Sequence, residues 1–157
     1  MRRALRGLLT IGLAATAALA GGCWGSPLQM PAGFVAVGRG DLGGFDARGV
    51  SADGVALGLR TENNPRGGTL EFWSQAIENE MTAGRGYRLM SAHDVTGLAG
   101  ARGKLLTFSV TRQGAAFTYA VAVFVDDAKV TVAEAGGKEE PYKKHAQAVR
   151  EALLSVR

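Results

Sequence analysis

The stretch that decides the fold is residues 117–125, which read FTYAVAVFV. Alternate side chains of a β-strand point to opposite faces of the sheet, and here both sets are apolar. One set contains Phe117, Tyr119, Val121, Val123 and Val125, and the other contains Ala120, Ala122 and Phe124. A strand that is apolar on both faces lies in the centre of its sheet, with another layer packed on each side. We therefore predict a layered domain built around this segment.

The neighbouring segments 87–95, 104–111 and 129–135 also alternate with a period of two, as strands do. Their connections are short, and one of them is only the pair Asp126-Asp127. Parallel strands need long crossover connections, so these short links predict an antiparallel meander of four strands. Upstream, segments 45–50 and 55–61 predict a hairpin across Asp53-Gly54, and 34–37 predicts a first short strand.

Two helices complete the pattern. Thr69 is a predicted N-cap, followed by Leu70, Trp73, Ile77 and Met81 in one apolar stripe, with Ser74 on its polar flank. This helix is expected to end near Gly84 or Gly86. The second is predicted from Pro141 to about residue 156, with an apolar stripe that includes Tyr142, Ala146, Val149, Leu153 and Val156. His145 is at the edge of that stripe and is expected either to snorkel or to face solvent.

The chain contains one cysteine, Cys23, placed after a short apolar run. Arg2, Arg3 and Arg6 precede that run, residues 8–20, and small residues lie directly before the cysteine. This arrangement resembles a bacterial lipoprotein signal peptide, in which the chain is cut before the cysteine and the cysteine is acylated. The run has 13 residues, whereas a helix that spans a membrane needs roughly 20. We predict a signal peptide at 1–22, lipidated Cys23 with a tether at 23–33, and a single domain at 34–157.

Two alternatives to lipidation stay open. Lipoprotein signals favour Leu three places before the cysteine, where this chain has Ala20, so secretion with a free Cys23 is one of them. A twin-arginine signal beginning at Arg2-Arg3 is the other, although the residues that follow are unlike its usual context. By the sorting rule of the lipoprotein family, Trp24 in place of Asp favours the outer membrane over the inner membrane, with the domain facing the periplasm.

The order of elements is strands, helix, four strands, helix. Thr69-Leu70-Glu71-Phe72-Trp73 opens the first helix, Gly86-Tyr87 enters the meander, and Val123-Phe124-Val125 precedes the final hairpin. Together with the signal peptide, residues 45–157 resemble the PsbP-like family of αβα sandwiches, especially the DcrB-like bacterial envelope lipoproteins. The resemblance implies an α+β fold with an antiparallel sheet between helices, and a non-enzymatic role in binding or assembly. No motif matches a family functional residue, so none is carried over.

Three functional hypotheses follow. The first is a membrane-anchored, non-catalytic lipoprotein that binds another envelope protein. Phe72 is its candidate contact, because an aromatic side chain opposite the core stripe must be covered by the tether, a loop or a partner. The second is a carrier of a small ligand, with a cleft between sheet and helix lined by Trp73 and Tyr119. The third is a weak hydrolase around His93.

Several other classes are disfavoured. Asp94 is a poor orienting partner for His93, because adjacent strand residues point to opposite faces, and no G-x-S-x-G motif accompanies Ser91. Two distant histidines, His93 and His145, form no ligand set for a metal. Residues 38–43 fit G-x-G-x-x-G but no helix pattern follows, so we expect no nucleotide cofactor.

A nucleic-acid partner is also disfavoured. Three of the 18 basic residues, Arg2, Arg3 and Arg6, lie in the predicted signal peptide, and the rest nearly balance the 14 acidic residues. The remaining basic residues are scattered, whereas a phosphate-binding surface needs a cluster or stripe.

Overall fold

A computed structural model describes residues 28–37, 44–98 and 100–156. The predicted signal peptide, Cys23, Trp24 and the glycine-rich segment 38–43 lie outside the described residues. The strands are β1 (Phe34–Ala36), β2 (Ala47–Ser51), β3 (Ala56–Asn63), β4 (Arg88–Thr96), β5 (Arg102–Arg112), β6 (Ala115–Val125) and β7 (Lys129–Lys138). The helices are α1 (Leu70–Asn79) and α2 (Glu139–Leu154). Within this part of the chain, neither helix is both long and apolar enough to cross a membrane.

All the strands form one antiparallel sheet in the order β1-β2-β3-β7-β6-β5-β4. The central strand predicted from residues 117–125 is β6, which pairs with β5 on one side and β7 on the other. Its residues Ala120 to Phe124 are buried on both faces. The prediction of an α+β fold with a hairpin, a four-strand meander and helices packed on the sheet is confirmed.

The two helices cover opposite faces of the sheet unequally. α2 packs on β6 and β7 over the larger apolar core, which includes Leu57, Leu105 and Phe124. α1 packs on β5 and β6 over a smaller core, in which Met81, Leu106, Phe108 and Val121 are the buried members. On the α1 side, the sheet extends past the helix through β7, β3, β2 and β1.

α1 begins where the sequence predicts. The Thr69 hydroxyl accepts a hydrogen bond from the Phe72 backbone N–H (3.2 Å), which satisfies one of the free donors of the first turn. A π-turn, Glu80–Gly84, continues the helix, and the chain then leaves through Gly86 at φ +71°. Ser74 does not lie on a polar flank: it is the buried residue of α1, and its hydroxyl donates to the Leu70 carbonyl at 2.5 Å.

α2 begins two residues earlier than predicted, with Glu139 and Glu140 in its first turn. Of the predicted apolar stripe, Tyr142, Val149, Leu153 and Val156 pack in the α2-side core, as predicted. Ala146 is exposed, whereas His145 turns inward to the hairpin, with Nε2 3.0 Å from Asp53 Oδ1 and its ring 5.2 Å from the Phe34 ring. A polar partner on the hairpin, which no helical periodicity reveals, holds this histidine against the domain.

The segment between Leu28 and Gly33, assigned to the tether in the sequence analysis, packs on the domain. Leu28 is fully buried in the α2-side core, and the Gln29 backbone N–H donates to Ser155 Oγ at 3.1 Å. Met30 lies against Gly49 of β2. From Leu28 onward the predicted tether is therefore part of the packed domain, and its residues 23–27 lie outside the described residues.

Candidate functional site

A cavity of about 310 Å³ lies between α1 and the part of the sheet that α1 leaves uncovered. We call it the α1 groove. Its walls are mainly apolar side chains from both layers: Trp73, Ile77 and Met81 from the helix, and Val121, Val130 and Val132 from the sheet. Ligand pockets of proteins have this character and volumes of roughly 300–1,000 Å³. The α1 groove lies at the lower limit of that range.

The groove exists because of the way α1 sits on the sheet. α1 packs on β5 and β6 with the small residue Ser74 buried, while the larger side chains of Trp73 and Ile77 stay half-buried. Successive residues of an α-helix are about 100° apart, so Trp73, Ala76 and Ile77 share the flank that faces β7 and β3. The helix thus presents apolar side chains to a surface that its own packing does not fill.

Charged side chains line one rim of the groove. Arg60 of β3 and Glu134 of β7 form an ion pair, with Nη2 2.7 Å from Oε2. At the helix side, Arg85 Nε lies 3.0 Å from Glu80 Oε1, and this bond raises the pKa of the guanidinium. Apolar walls with paired charges at the opening suit a ligand that is mostly apolar and carries a polar end.

Tyr119 stands at the same rim. Burial, and after it the Glu134 carboxylate, raises the pKa of the Tyr119 phenol well above its ordinary value. The Glu134 carboxylate accepts a hydrogen bond from this phenol, so the two side chains are held together at the rim. Tyr119 and Glu134 also line a smaller cavity of about 100 Å³ that extends the groove toward Phe45.

Two strand glycines allow aromatic rings to lie close to the sheet beside the groove. A Cβ on Gly58 would lie 2.6 Å from Cε1 of Phe45, and a Cβ on Gly136 would lie 2.8 Å from Cδ2 of Tyr119. Arg48 and Arg60 cover the Phe45 ring, at 5.0 and 5.3 Å from its centroid. Glycine inside a strand is the sequence signal that marks such a close approach, and it would have pointed to this region.

The two residues predicted to line a ligand cleft lie together on the α1 groove. The Trp73 ring is held in place by a residue that does not line the groove. Its Nε1 donates a hydrogen bond to Asn64 Oδ1 at 3.3 Å, and Asn64 is itself buried. Tyr119 reaches the groove from β6. Arg60 and Glu134 were not singled out from the sequence, because their pairing depends on the register of β3 against β7.

Phe72, the candidate partner contact, does not line the groove. Its side chain is 60% exposed, and its ring meets the Trp73 ring edge to face, with centroids 5.4 Å apart. Both rings lie over Gly68, where a Cβ would be 2.6 Å from Trp73 Nε1 and 3.1 Å from Phe72 Cδ1. Phe72 is therefore an exposed aromatic residue on the outer side of the helix, next to one wall of the groove.

His93 lies on the other face of the sheet. It pairs with Leu105, which belongs to the α2-side core, whereas Asp94 pairs with Lys104 on the α1 side. Asp94 Oδ1 is 3.5 Å from Lys104 Nζ, so this carboxylate is directed to a lysine rather than to His93. Among residues 28–37, 44–98 and 100–156, no three His, Cys, Asp or Glu side chains gather at metal-binding distance.

Solved structures that resemble the chain in fold include a cyanobacterial PsbP protein and a mycobacterial protein. Cyanobacterial PsbP (CyanoP) from Synechocystis sp. PCC 6803 superposes with a TM-score of 0.60 at 15% identity, covering 82% of this chain and 83% of that protein. LpqN of Mycobacterium tuberculosis, described as involved in cell envelope biogenesis, superposes with a TM-score of 0.63 at 14% identity, covering 81% and 78%. No family model and no curated protein matches the sequence. The chain has a PsbP-like fold, as predicted from the sequence.

Proposed function

We propose that this protein is a non-catalytic binding module of the cell envelope, anchored by lipid on Cys23, with its domain in the periplasm. The signal-like residues 1–22 and the single cysteine support the anchor. A structural neighbour with a described part in cell envelope biogenesis supports the location. The residue after Cys23 is Trp24, whereas lipoproteins retained in the inner membrane have Asp there, so we favour the outer membrane.

The observation that carries a binding function is the α1 groove. Its walls are apolar, and its rim carries the Arg60–Glu134 ion pair and the phenol of Tyr119. This combination favours a small ligand with an apolar body and one polar end, so we propose that the module carries such a ligand.

Binding of a fluorescent apolar probe tests the groove. N-phenyl-1-naphthylamine gains fluorescence in apolar sites, and we expect the domain to enhance its emission. Ala76→Trp fills the groove from the flank of α1. Ala146→Trp makes the same change at an exposed position of α2, on the other face of the sheet, and serves as the control. We expect at least about a tenfold weaker affinity for Ala76→Trp, equivalent to roughly 1.4 kcal/mol, and no change for Ala146→Trp.

Thermal unfolding, monitored by circular dichroism, checks that both variants fold. If Ala76→Trp unfolds early, Ile77→Lys provides a second test, because it places a charge inside the same apolar walls. Equal enhancement of probe fluorescence by the wild type and a folded groove variant would refute the carrier function.

The exposed ring of Phe72 favours a second candidate, the docking of another envelope protein on the outer side of α1. In-vivo crosslinking of the full-length protein, followed by mass spectrometry, tests it. We expect a partner that is recovered with the wild type and with Met90→Ser, which removes another exposed apolar side chain, but not with Phe72→Ser or with mislocalised Cys23→Ala. Recovery of the same proteins with Phe72→Ser would exclude Phe72 as the contact.

A further inference from the structure

We infer that the end of the domain that carries Leu98 lies against the membrane, with the Leu98 side chain in the lipid interface. The inference rests on the lipid anchor proposed at Cys23 and adds a second, weaker membrane contact that orients the domain. Two independent observations support it: the place where the chain enters the domain, and the exposure of an apolar side chain at the same place.

The length of the tether limits the distance between domain and lipid. Leu28 is fully buried, and the next residue, Gln29, donates its backbone N–H to Ser155 Oγ. Five residue steps separate Cys23 from Leu28, and a chain spans at most about 3.6 Å per residue, whatever its conformation. The Cα of Cys23 is therefore within about 18 Å of the Cα of Leu28. A lipid-bearing Cys23 brings the surface around Leu28 to the membrane.

Leu98 lies on that same surface. Its backbone N–H donates to the Leu154 carbonyl at 3.0 Å, and Leu154 directly precedes Ser155, the residue that holds Gln29. The preceding Gly97 is closely packed, since a Cβ there would lie 3.1 Å from Phe124 Cε1 and 3.4 Å from the Val156 carbonyl. The backbone before Leu98 is thus held against the core.

The side chain of Leu98 is nevertheless 63% exposed, in contrast to its anchored backbone. One exposed leucine is too weak to bind a protein to a bilayer, but the acyl chains supply the affinity and keep the domain at a high local concentration. In that setting, one buried leucine side chain is enough to favour one orientation over the others.

No basic cluster attracts anionic lipid at this end of the domain. Arg102 and Arg150 line one depression together with four carboxylates, those of Glu71, Asp94, Asp126 and Asp127, so acidic groups outnumber basic groups there. We therefore expect insertion of Leu98 into phosphatidylcholine vesicles, with no gain in vesicles that contain anionic phosphatidylglycerol.

Site-specific labelling of the mature lipidated protein tests the orientation. The sulfur of an acylated Cys23 is blocked, so Leu98→Cys introduces a single free thiol for the environment-sensitive dye NBD. Met90→Cys is the matched control, because Met90 is 54% exposed and lies near the opposite end of β4, roughly 20 Å from Thr96 along the strand at 3.3 Å per residue. Both labelled proteins are reconstituted into vesicles of each composition, with and without spin-labelled lipid as a quencher.

We expect NBD at position 98 to shift its emission to the blue and to be quenched by the spin-labelled lipid, whereas NBD at position 90 stays in water. Equal, water-like emission at both positions in protein that floats with the vesicles would overturn the orientation and leave the anchor standing. Mature protein whose Cys23 carries no acyl groups by mass spectrometry would overturn the proposed anchor, and the orientation with it.

Discussion

Gly103 of β5 is a position where a single methyl group is expected to disturb the core. A Cβ there would lie 2.5 Å from Cδ1 of Phe124 and 2.7 Å from the Val123 carbonyl, and the carbonyl belongs to a paired strand that cannot move alone. Overpacking of this kind costs about 1–3 kcal/mol. We expect Gly103→Ala to lower the free energy of unfolding by about that amount, measured by urea denaturation.

Gly84→Ala is the control for this prediction. The nearest atoms to a Cβ on Gly84 belong to the exposed carboxylate of Glu80, at 3.0 Å and beyond, and that side chain can move. Alanine is also preferred over glycine in helices by about 1 kcal/mol. The protein should therefore keep or slightly gain stability with this change. Equal losses for both variants would contradict the clash at Gly103.

Asp53 gives the hairpin a pH-dependent contact with α2. The Ser51 hydroxyl donates to Asp53 Oδ1 at 2.6 Å, and His145 Nε2 lies 3.0 Å from the same oxygen. The Ser51 hydrogen bond first, and His145 after it, hold the pKa of Asp53 below its ordinary value. A depressed carboxylate pKa stabilises the fold above the unfolded-state pKa, and this contribution disappears as pH falls through the folded-state pKa.

We therefore expect Asp53→Asn to lower the melting temperature at about pH 6, and the difference from the wild type to shrink toward about pH 2.5 as both side chains become neutral. Asp127→Asn, in the exposed turn between β6 and β7, is the control, and we expect little difference from the wild type at either pH. A constant difference between the wild type and Asp53→Asn across this range would contradict the ionic contribution.

At the scale of elements, the two helices are expected to differ in local stability. α1 buries only Ser74, and its π-turn buries Met81, whereas α2 buries Val149, Ala152 and Leu153. Elements with less buried apolar surface open more often without global unfolding. We expect amide hydrogens in 70–79 to exchange at least about tenfold faster than those in 145–154, measured by hydrogen-exchange mass spectrometry.

Peptides from β6, the central strand, provide the internal reference for slow exchange. Saturation with N-phenyl-1-naphthylamine should slow exchange in α1 and leave α2 unchanged, because the α1 groove lies beside α1 alone. Equal protection of the two helices in the free protein would contradict the loose packing of α1.

The elements themselves could be predicted because periodicity is a local property. Alternation in 117–125 identifies β6, and Thr69 identifies the start of α1. What a helix touches is not local: Ser74 is buried because of the way α1 packs on β5 and β6, and His145 faces inward because Asp53 lies opposite it. The Trp73–Tyr119 pair was predictable as two aromatic residues between layers, but the charged rim depends on the register of β3 against β7.

Over the whole molecule, the groove is a consequence of unequal coverage of one sheet. The sheet has strands on both sides of β6, but α1 lies over β5 and β6 only, so its flank and the face of β7 and β3 remain open toward each other. Most of the buried apolar residues belong to the core on the α2 side, so the stability of the domain depends less on close packing between α1 and the sheet. A binding site can therefore lie beside α1 at little cost to the stability of the domain.

Leu28 connects the stability of the domain to the lipid anchor proposed at Cys23. Its side chain is fully buried in the α2-side core, so truncation leaves a cavity, and Leu→Ala changes of this kind cost about 2–5 kcal/mol. We expect Leu28→Ala to lower the free energy of unfolding by that amount in urea denaturation, and Leu98→Ala, at an exposed position, to change it by less than about 0.5 kcal/mol. Equal effects of the two changes would mean that residues before β1 contribute nothing to the core. If Leu28 contributes as expected and Cys23 carries the proposed lipid, the fold limits the tether to the residues between Cys23 and Leu28, and the folded domain is held close to the membrane.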